Sequence, residues 1–202
     1  MEPTEHNRRA FDAAYRRRGK RGGLPAIVKG TLGDLTGKRV LHMECGSGEA
    51  TAELAELGAV VTAIDESEAA LDAAREQWPK VLWIQASASA LPAELRRSRF
   101  DLVYSPEGVL ATVTDLEAWA RGIDDALHEH GELLVYDDHP VALCVDAFAR
   151  WQYDYFSEGF WRLGTIVTTL IRTGFRIEAL EEYPGERKLP GTFLLYATRS
   201  KQ

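Results

Sequence analysis

The run Val40-Leu41-His42-Met43-Glu44-Cys45-Gly46-Ser47-Gly48-Glu49-Ala50 decides how the rest of the chain is read. Apolar residues lead into an acid, two glycines follow, and a helical pattern opens at Glu49. Seventeen residues beyond Gly48, a second apolar run, Ala59 to Ile64, ends in Asp65. The pattern predicts a strand, a tight turn, a helix, a strand and a carboxylate. Such a unit turns backbone N–H groups and the positive end of a helix toward the polar part of a ligand. The second-strand carboxylate can accept from two ribose hydroxyls. A dinucleotide fingerprint would need a third glycine where this chain has Thr51.

Outward from this unit, apolar runs predict strands at 39–44, 59–64, 81–85, 100–105 and 131–137, and periodicity predicts helices at 49–57, 67–77 and 115–128. Ser67, ahead of acids and alanines, is a candidate N-cap. Further helical segments are predicted at 6–18, 26–35, about 143–157 and 162–173, the last ending at Gly174. The strands are continuous apolar runs rather than alternating ones, which suits a parallel sheet covered on both faces. The chain then gives Phe175 to Leu180 and Thr192 to Thr198, joined by the Pro/Gly loop from Tyr183 to Gly191. That loop is too short for a helical crossover, so these two strands must pair antiparallel.

Glu44-x-Gly46-x-Gly48-x-Ala50 resembles motif I of the class I S-adenosylmethionine-dependent methyltransferases, E/D-x-G-x-G-x-G, with Ala50 in place of the last glycine. Phe100-Asp101-Leu102-Val103-Tyr104 resembles the family's fourth motif, and the resemblance covers roughly residues 36–200. It implies an α/β, Rossmann-like fold. The sheet would be mostly parallel and seven-stranded, in the order 3-2-1-4-5-7-6, with strand 7 antiparallel and helices on both faces. One domain spans 1–202 on this reading, with an N-terminal helical cap over 1–35 and a helical insertion over 140–173 covering the substrate site.

The same resemblance implies S-adenosyl-L-methionine as cofactor and a small molecule as methyl acceptor. In an open α/β sheet the ligand lies outside the carboxyl ends of the strands. The expected cofactor residues there are Glu44, Gly46, Ser47, Gly48, Asp65, Glu66, Ala86, Ser87 and Ser105, with Tyr15 from the cap. The family places the acid before the glycines at the methionine end of the cofactor. It often has a further acid after strand 3, where this chain has Ala86 and Ser87, so the adenine is expected against backbone amides and Ser87. Glu107, Tyr155 and Trp161 are the expected acceptor contacts. The last two belong to an aromatic-rich stretch, Phe148 to Trp161, that suits an apolar or aromatic substrate as well as it suits core packing. His139, after Asp137 and Asp138 at the end of strand 5, is the candidate general base, a turn residue being the plainer reading. The spacing there is poor for coordination, and no metal is expected.

A soluble cytosolic protein is the default expectation. The N-terminal residues lack the apolar core of a signal peptide, no apolar run could span a bilayer, and Cys45 and Cys144 do not suggest a disulfide framework. The net charge is −7; residues 1–21 carry seven Lys/Arg against three acids, so the remainder carries −11. An acidic body repels a polyanion, which argues against nucleic acid. A monomer or a homodimer is compatible with this sequence. Two other functions stand beside methyl transfer: a cofactor-binding regulatory or scaffold domain without catalysis, and a nicotinamide-dependent oxidoreductase, against which Thr51 and the final hairpin argue.

Overall fold

The computed structural model describes residues 22–97, 100–146, 148–156, 161–185 and 188–200. The 6–18 helix and Tyr15 therefore lie outside the described residues. The elements in chain order are α1 (Ala26–Leu32), β1 (Arg39–His42), α2 (Glu49–Glu56), β2 (Val60–Asp65), α3 (Glu68–Gln77), β3 (Leu82–Gln85), α4 (Ala93–Arg96), β4 (Phe100–Ser105), α5 (Val109–Thr112), α6 (Leu116–Ala126), β5 (Leu127–Asp138), α7 (Pro140–Leu143), α8 (Leu163–Thr173), β6 (Phe175–Pro184) and β7 (Pro190–Arg199).

The seven strands form one sheet in the order β3-β2-β1-β4-β5-β7-β6. The pairs from β3 through β5 are parallel, while β7 runs antiparallel to both β5 and β6. This is the strand order and the final hairpin that the sequence implies.

Successive residues along each central strand feed opposite faces. Val40, Val61, Leu102, Leu134 and Leu194 pack with Val28 of α1 and Leu54 of α2. Their chain neighbours Leu41, Val103, Leu133, Val135 and Leu195 pack with Leu95 of α4, Trp119 and Ile123 of α6, and Ile166 and Leu170 of α8. A third cluster seats Leu71 and Ala74 of α3 on Ala63 and Trp83. Period-two alternation on a sheet apolar on both sides makes each strand a continuous apolar run, which is the signal the sequence carries.

The helix termini follow their local chemistry. Ser67 Oγ accepts the Ala70 N–H at 3.3 Å, and Asp115 Oδ1 accepts the Ala118 N–H at 2.9 Å, each capping the helix that follows. Gly174 ends α8 with φ +111°.

Two elements differ from expectation. The α6 helix stops at Ala126, and β5 starts at Leu127 rather than Gly131. The extra residues pass through a register shift opposite Phe100 and Leu102 and a left-handed His130. The expected helix at 143–157 is also absent from the described residues. After α7, Val145 forms an isolated antiparallel bridge with Trp151, and turns follow. The cause is local. Asp146 Oδ1 accepts the N–H groups of Phe148 and Arg150, and the Cys144 carbonyl accepts those of Gln152 and Tyr153. A short acid that captures nearby amides offers the backbone an alternative to the helical ladder. The helical part of the 140–173 insertion thus reduces, among the described residues, to α7 and α8.

Candidate cofactor and acceptor site

The carboxyl ends of β1, β2 and β4 meet where the strand order turns from β1 outward in both directions, the usual ligand crevice of an open α/β sheet. Asp65 closes β2 there and is 8% exposed. Its Oδ2 accepts the Gly46 N–H at 2.7 Å, and its Oδ1 accepts the Ser67 N–H at 2.8 Å. The carboxylate is held by one bond to each oxygen. Each oxygen keeps lone-pair capacity for a further donor, because an ionised carboxylate has about four acceptor sites.

The two loop glycines have different reasons to be glycine. Gly46 has φ +55°, and a Cβ built on it meets nothing within 4 Å. The space above it is open for a ligand to approach the backbone. Gly48 has φ +94°, but a Cβ there would lie 2.7 Å from Trp83 Cη2 and 3.1 Å from both Ala74 Cβ and Trp78 Cε3. Its side-chain position is filled by the protein's own rings, so Gly48 seats the loop on α3 and β3. Gly48→Ala combines the left-handed penalty with overpacking. It should destabilise the fold by about 2–4 kcal/mol in urea unfolding; a loss below about 1 kcal/mol would refute this packing role.

Ser47 Oγ donates to Glu49 Oε2 at 2.7 Å, which places it on the loop's outer side. Glu66 is exposed beside Asp65. After β3, the Ala86 N–H donates to the Asp65 carbonyl at 3.1 Å, and Ser87 Oγ accepts the Ser89 N–H at 3.2 Å. Glu44 Oε1 accepts the Ala88 N–H at 3.4 Å, so its side chain reaches the loop after β3.

Behind the loop, His42 is buried, stacks on Tyr104 at 5.1 Å, and shares a 2.8 Å hydrogen bond between Nδ1 and Thr51 Oγ1. Burial lowers its pKa to about 3, so the ring is neutral. Ser105, at the end of β4, is fully buried and its Oγ has no hydrogen-bond partner. A buried hydroxyl without a protein partner is uncommon, and its place at the carboxyl end of β4 makes it a candidate donor to a ligand.

The β4–α5 loop is tied to β5 by Asp137, 3% exposed. Its Oδ1 accepts from Gly108 N–H at 2.8 Å and from Asp138 N–H at 2.7 Å, and its Oδ2 accepts from Leu110 N–H at 3.0 Å. Its structural task is to fix the loop bearing Glu107. Glu107 is partly exposed, and with burial it helps push the Tyr104 hydroxyl far above its ordinary range.

His139 has a different occupation from the one expected. Its Nδ1 accepts the Val141 N–H at 3.1 Å, capping α7. Its Nε2 lies 2.8 Å from Glu182 Oε1 on β6, and its ring edge meets Phe193. Burial pushes its pKa down, opposed by Glu182. With Nδ1 filled and the Nε2 proton facing Glu182, the ring holds no free lone pair for an acceptor's proton.

The aromatic stretch divides. Trp161 Nε1 donates to the Val113 carbonyl at 2.7 Å and its ring packs on the core. Tyr155 hydroxyl accepts the Leu163 N–H at 3.3 Å and its ring meets Phe156 edge-on. Trp151, Tyr153, Tyr155 and Phe156 line an open groove of about 470 Å3. Phe148, Trp151 and Phe156 are largely exposed. The structure thus separates Trp161, which anchors, from Trp151 and Phe156, which sequence reading did not single out.

Known proteins share this fold. The methyltransferase-domain profile matches residues 40–131. A solved S-adenosylmethionine-dependent methyltransferase from Mesorhizobium loti superposes with a TM-score of 0.73 at 26% identity, over 86% of this chain and 96% of that one. These matches support reading the chain as a class I S-adenosylmethionine-dependent methyltransferase. Its cofactor is S-adenosyl-L-methionine, and the open backbone at Gly46, the preset Asp65 carboxylate and the unpaired Ser105 hydroxyl fit such a ligand.

Among curated relatives, an uncharacterized methyltransferase of Synechocystis sp. is 33% identical over 129 residues, and the match spans 57% of this chain and 60% of that protein's length. A ubiquinone biosynthesis O-methyltransferase of Nitrosococcus oceani is 40% identical over 77 residues, about a third of its length (32%). Among the described residues no helix is long and apolar enough to cross a membrane, and no group of three or more His, Cys, Asp or Glu is placed to hold a metal ion.

Proposed function

We propose that this protein transfers the methyl group of S-adenosylmethionine to a small molecule with an apolar or aromatic body. What supports this reading is the topology together with the groove: β5 pairs with β4, and the segment that follows β5 presents Trp151, Tyr153, Tyr155 and Phe156 around an open groove. The cofactor supplies a methyl group made electrophilic by the positive sulfur that carries it. The protein's part is to hold the acceptor in line with that group, and good orientation lowers a barrier by about 7–11 kcal/mol.

In this reading Asp65 accepts from the ribose hydroxyls, Gly46 lets the ligand approach the backbone, and Ser105 donates from below. Asp137 holds the β4–α5 loop, with Glu107, against the acceptor side. His139 stabilises α7 and is assigned no proton. The O-methyltransferase named among the relatives supports a hydroxyl as acceptor, and the groove supports a ring behind it. A single domain acting in the cytoplasm, as a monomer or homodimer and without nucleic acid, remains the expected setting.

The test is release of S-adenosylhomocysteine from S-adenosylmethionine in the presence of panels of phenols, amines and thiols. Turnover with aromatic hydroxyl compounds, reduced at least tenfold by Phe156→Ala while cofactor affinity holds, is the expected result. Tight cofactor binding with no turnover across the panels would favour the non-catalytic regulatory reading instead.

A further inference from the structure

The aromatic groove hangs on α7, and one imidazole nitrogen caps that helix. Leu143 of α7 packs against Cys144, as do Tyr153 and Tyr155, which line the groove. The Cys144 carbonyl accepts the N–H groups of Gln152 at 2.8 Å and Tyr153 at 3.2 Å, and its thiol donates back to the Pro140 carbonyl at 3.4 Å. The start of α7 is capped by His139, whose Nδ1 accepts the Val141 N–H at 3.1 Å. His139 is itself pinned to the sheet. Its N–H donates to the Gly191 carbonyl at 2.9 Å, and its side chain is 7% exposed. A continuous set of contacts thus runs from the ring of His139 through α7 and Cys144 to the groove.

These bonds fix where the ring carries its proton. A backbone N–H only donates, so Nδ1 holds a lone pair and the proton sits on Nε2, 2.8 Å from Glu182 Oε1. An imidazolium has a proton on both nitrogens and accepts nothing. With Nδ1 protonated, two N–H groups would face each other and the cap would be lost. The surroundings do not replace it. Glu182 from β6 attracts a charged ring, but at Nε2. From β7 come Phe193 and Gly191, which carry no charge. From β5 come Asp138 and Asp137, the latter with its oxygens on the Gly108, Leu110 and Asp138 amides. Beyond α7 lies the Cys144 thiol, which burial pushes up to about 11. Burial holds the His139 ring below its ordinary range, against the pull of Glu182.

We propose that His139 is the positioning residue of the acceptor groove and acts as a proton-operated latch: the neutral ring caps α7 and so seats Tyr153 and Tyr155, and a solvent proton on Nδ1 releases them. In the released state the ring is solvated and takes a proton at its ordinary value, about pH 6.5. In the seated state it resists the proton. Below about pH 6.5 the ratio of released to seated molecules therefore rises as pH falls, by up to about tenfold per unit, until the seated ring is itself protonated. Above that pH the ratio is constant. Asp65 and Gly46 take no part in these contacts, so cofactor affinity should not follow the latch. The positioning role rests on the groove being the acceptor's seat, whereas the latch is read in the free protein.

The experiment is amide hydrogen exchange by NMR on the free protein at pH 7.5 and 5.5, each rate divided by that of an open chain at the same pH. In the wild type the amides of Val141, Cys144, Gln152 and Tyr153 should lose about tenfold in protection on acidification, while those of the central strands hold. His139→Asn keeps a side-chain oxygen for the Val141 N–H and cannot titrate, so its protection should be equal at both pH values. His139→Ala has no acceptor and should be poorly protected at both, with circular dichroism confirming the fold. With an aromatic hydroxyl acceptor at pH 7.5, KM should rise at least about threefold in His139→Ala and return to the wild-type value in His139→Asn, affinity for S-adenosylhomocysteine being unchanged in both. Equal wild-type protection at the two pH values, or the same loss in His139→Asn, would overturn the latch. Loss of protection as expected with an unchanged KM in His139→Ala would instead overturn the groove as the acceptor's seat, and the positioning role with it.

Discussion

Replacing Asp137 by alanine should destabilise the protein by about 3–5 kcal/mol, a large fraction of the total stability of a domain this size. The carboxylate is buried and receives three backbone N–H groups, from Gly108, Leu110 and Asp138. Truncation leaves those donors without their acceptor in a site closed to water, and each buried donor left unpaired costs about 1–3 kcal/mol. Asp137→Asn keeps the shape and one acceptor oxygen but turns an NH2 group toward a donor, so an intermediate loss is expected. Urea unfolding at pH 7 with an unchanged m-value reads the effect directly. A loss under 1 kcal/mol would mean that the β4–α5 loop is held by other contacts.

Asp65→Ala should weaken S-adenosylmethionine binding at least about 100-fold while the sheet remains intact. Two charge-assisted bonds to ribose hydroxyls would go, at about 1.5–3 kcal/mol each, and 2.7 kcal/mol already corresponds to about two decades in affinity. The same substitution frees the Gly46 and Ser67 amides, so the loop that meets the cofactor also loses its anchor. Calorimetry decides the matter: an affinity within threefold of wild type would remove Asp65 from the ribose site. Urea unfolding of the same variant separates loss of a ligand contact from loss of the fold.

The sheet was legible in the sequence because each central strand must satisfy two apolar faces. Continuous runs such as Leu102 to Tyr104 or Leu133 to Val135 have few other ways to be buried. The antiparallel pairing of the last two strands was legible because nine loop residues leave no room for a crossover, whereas their order beside β5 came only from the family resemblance. The stretch after α7 was not, because its aromatics sit at spacings a helix also uses. What defeats the helix is a single side chain, Asp146, competing for the amides of Phe148 and Arg150. Nothing in a hydrophobic period reports that competition.

The site was partly legible for a related reason. Asp65 and Gly46 follow from the strand–turn–helix pattern, since the pattern itself aims the acid at the loop. Gly48 looks identical to Gly46 in sequence, yet it answers to Trp83 and Trp78, which lie thirty and more residues away along the chain. His139 carries the composition of a general base, and only the Val141 amide and Glu182 reveal that its nitrogens are engaged. Glu44 was legible as the acid of the motif, but its bond to the Ala88 amide and its left-handed backbone are not encoded there.

The place of β7 between β5 and β6 has a consequence for biosynthesis. Strands β1 to β5 leave the ribosome in an order that lets each pair with one already made, so the half of the sheet that carries Asp65 and Gly46 can assemble while translation continues. The β6 strand has no such partner when it emerges, because its only neighbour in the sheet is β7. Until residues 190–199 arrive, β5 and β6 each present a bare row of amides and carbonyls, the kind of edge that invites pairing with another nascent chain. The interval between the synthesis of β5 and that of β7 is therefore the period in which this protein most needs a chaperone's cover.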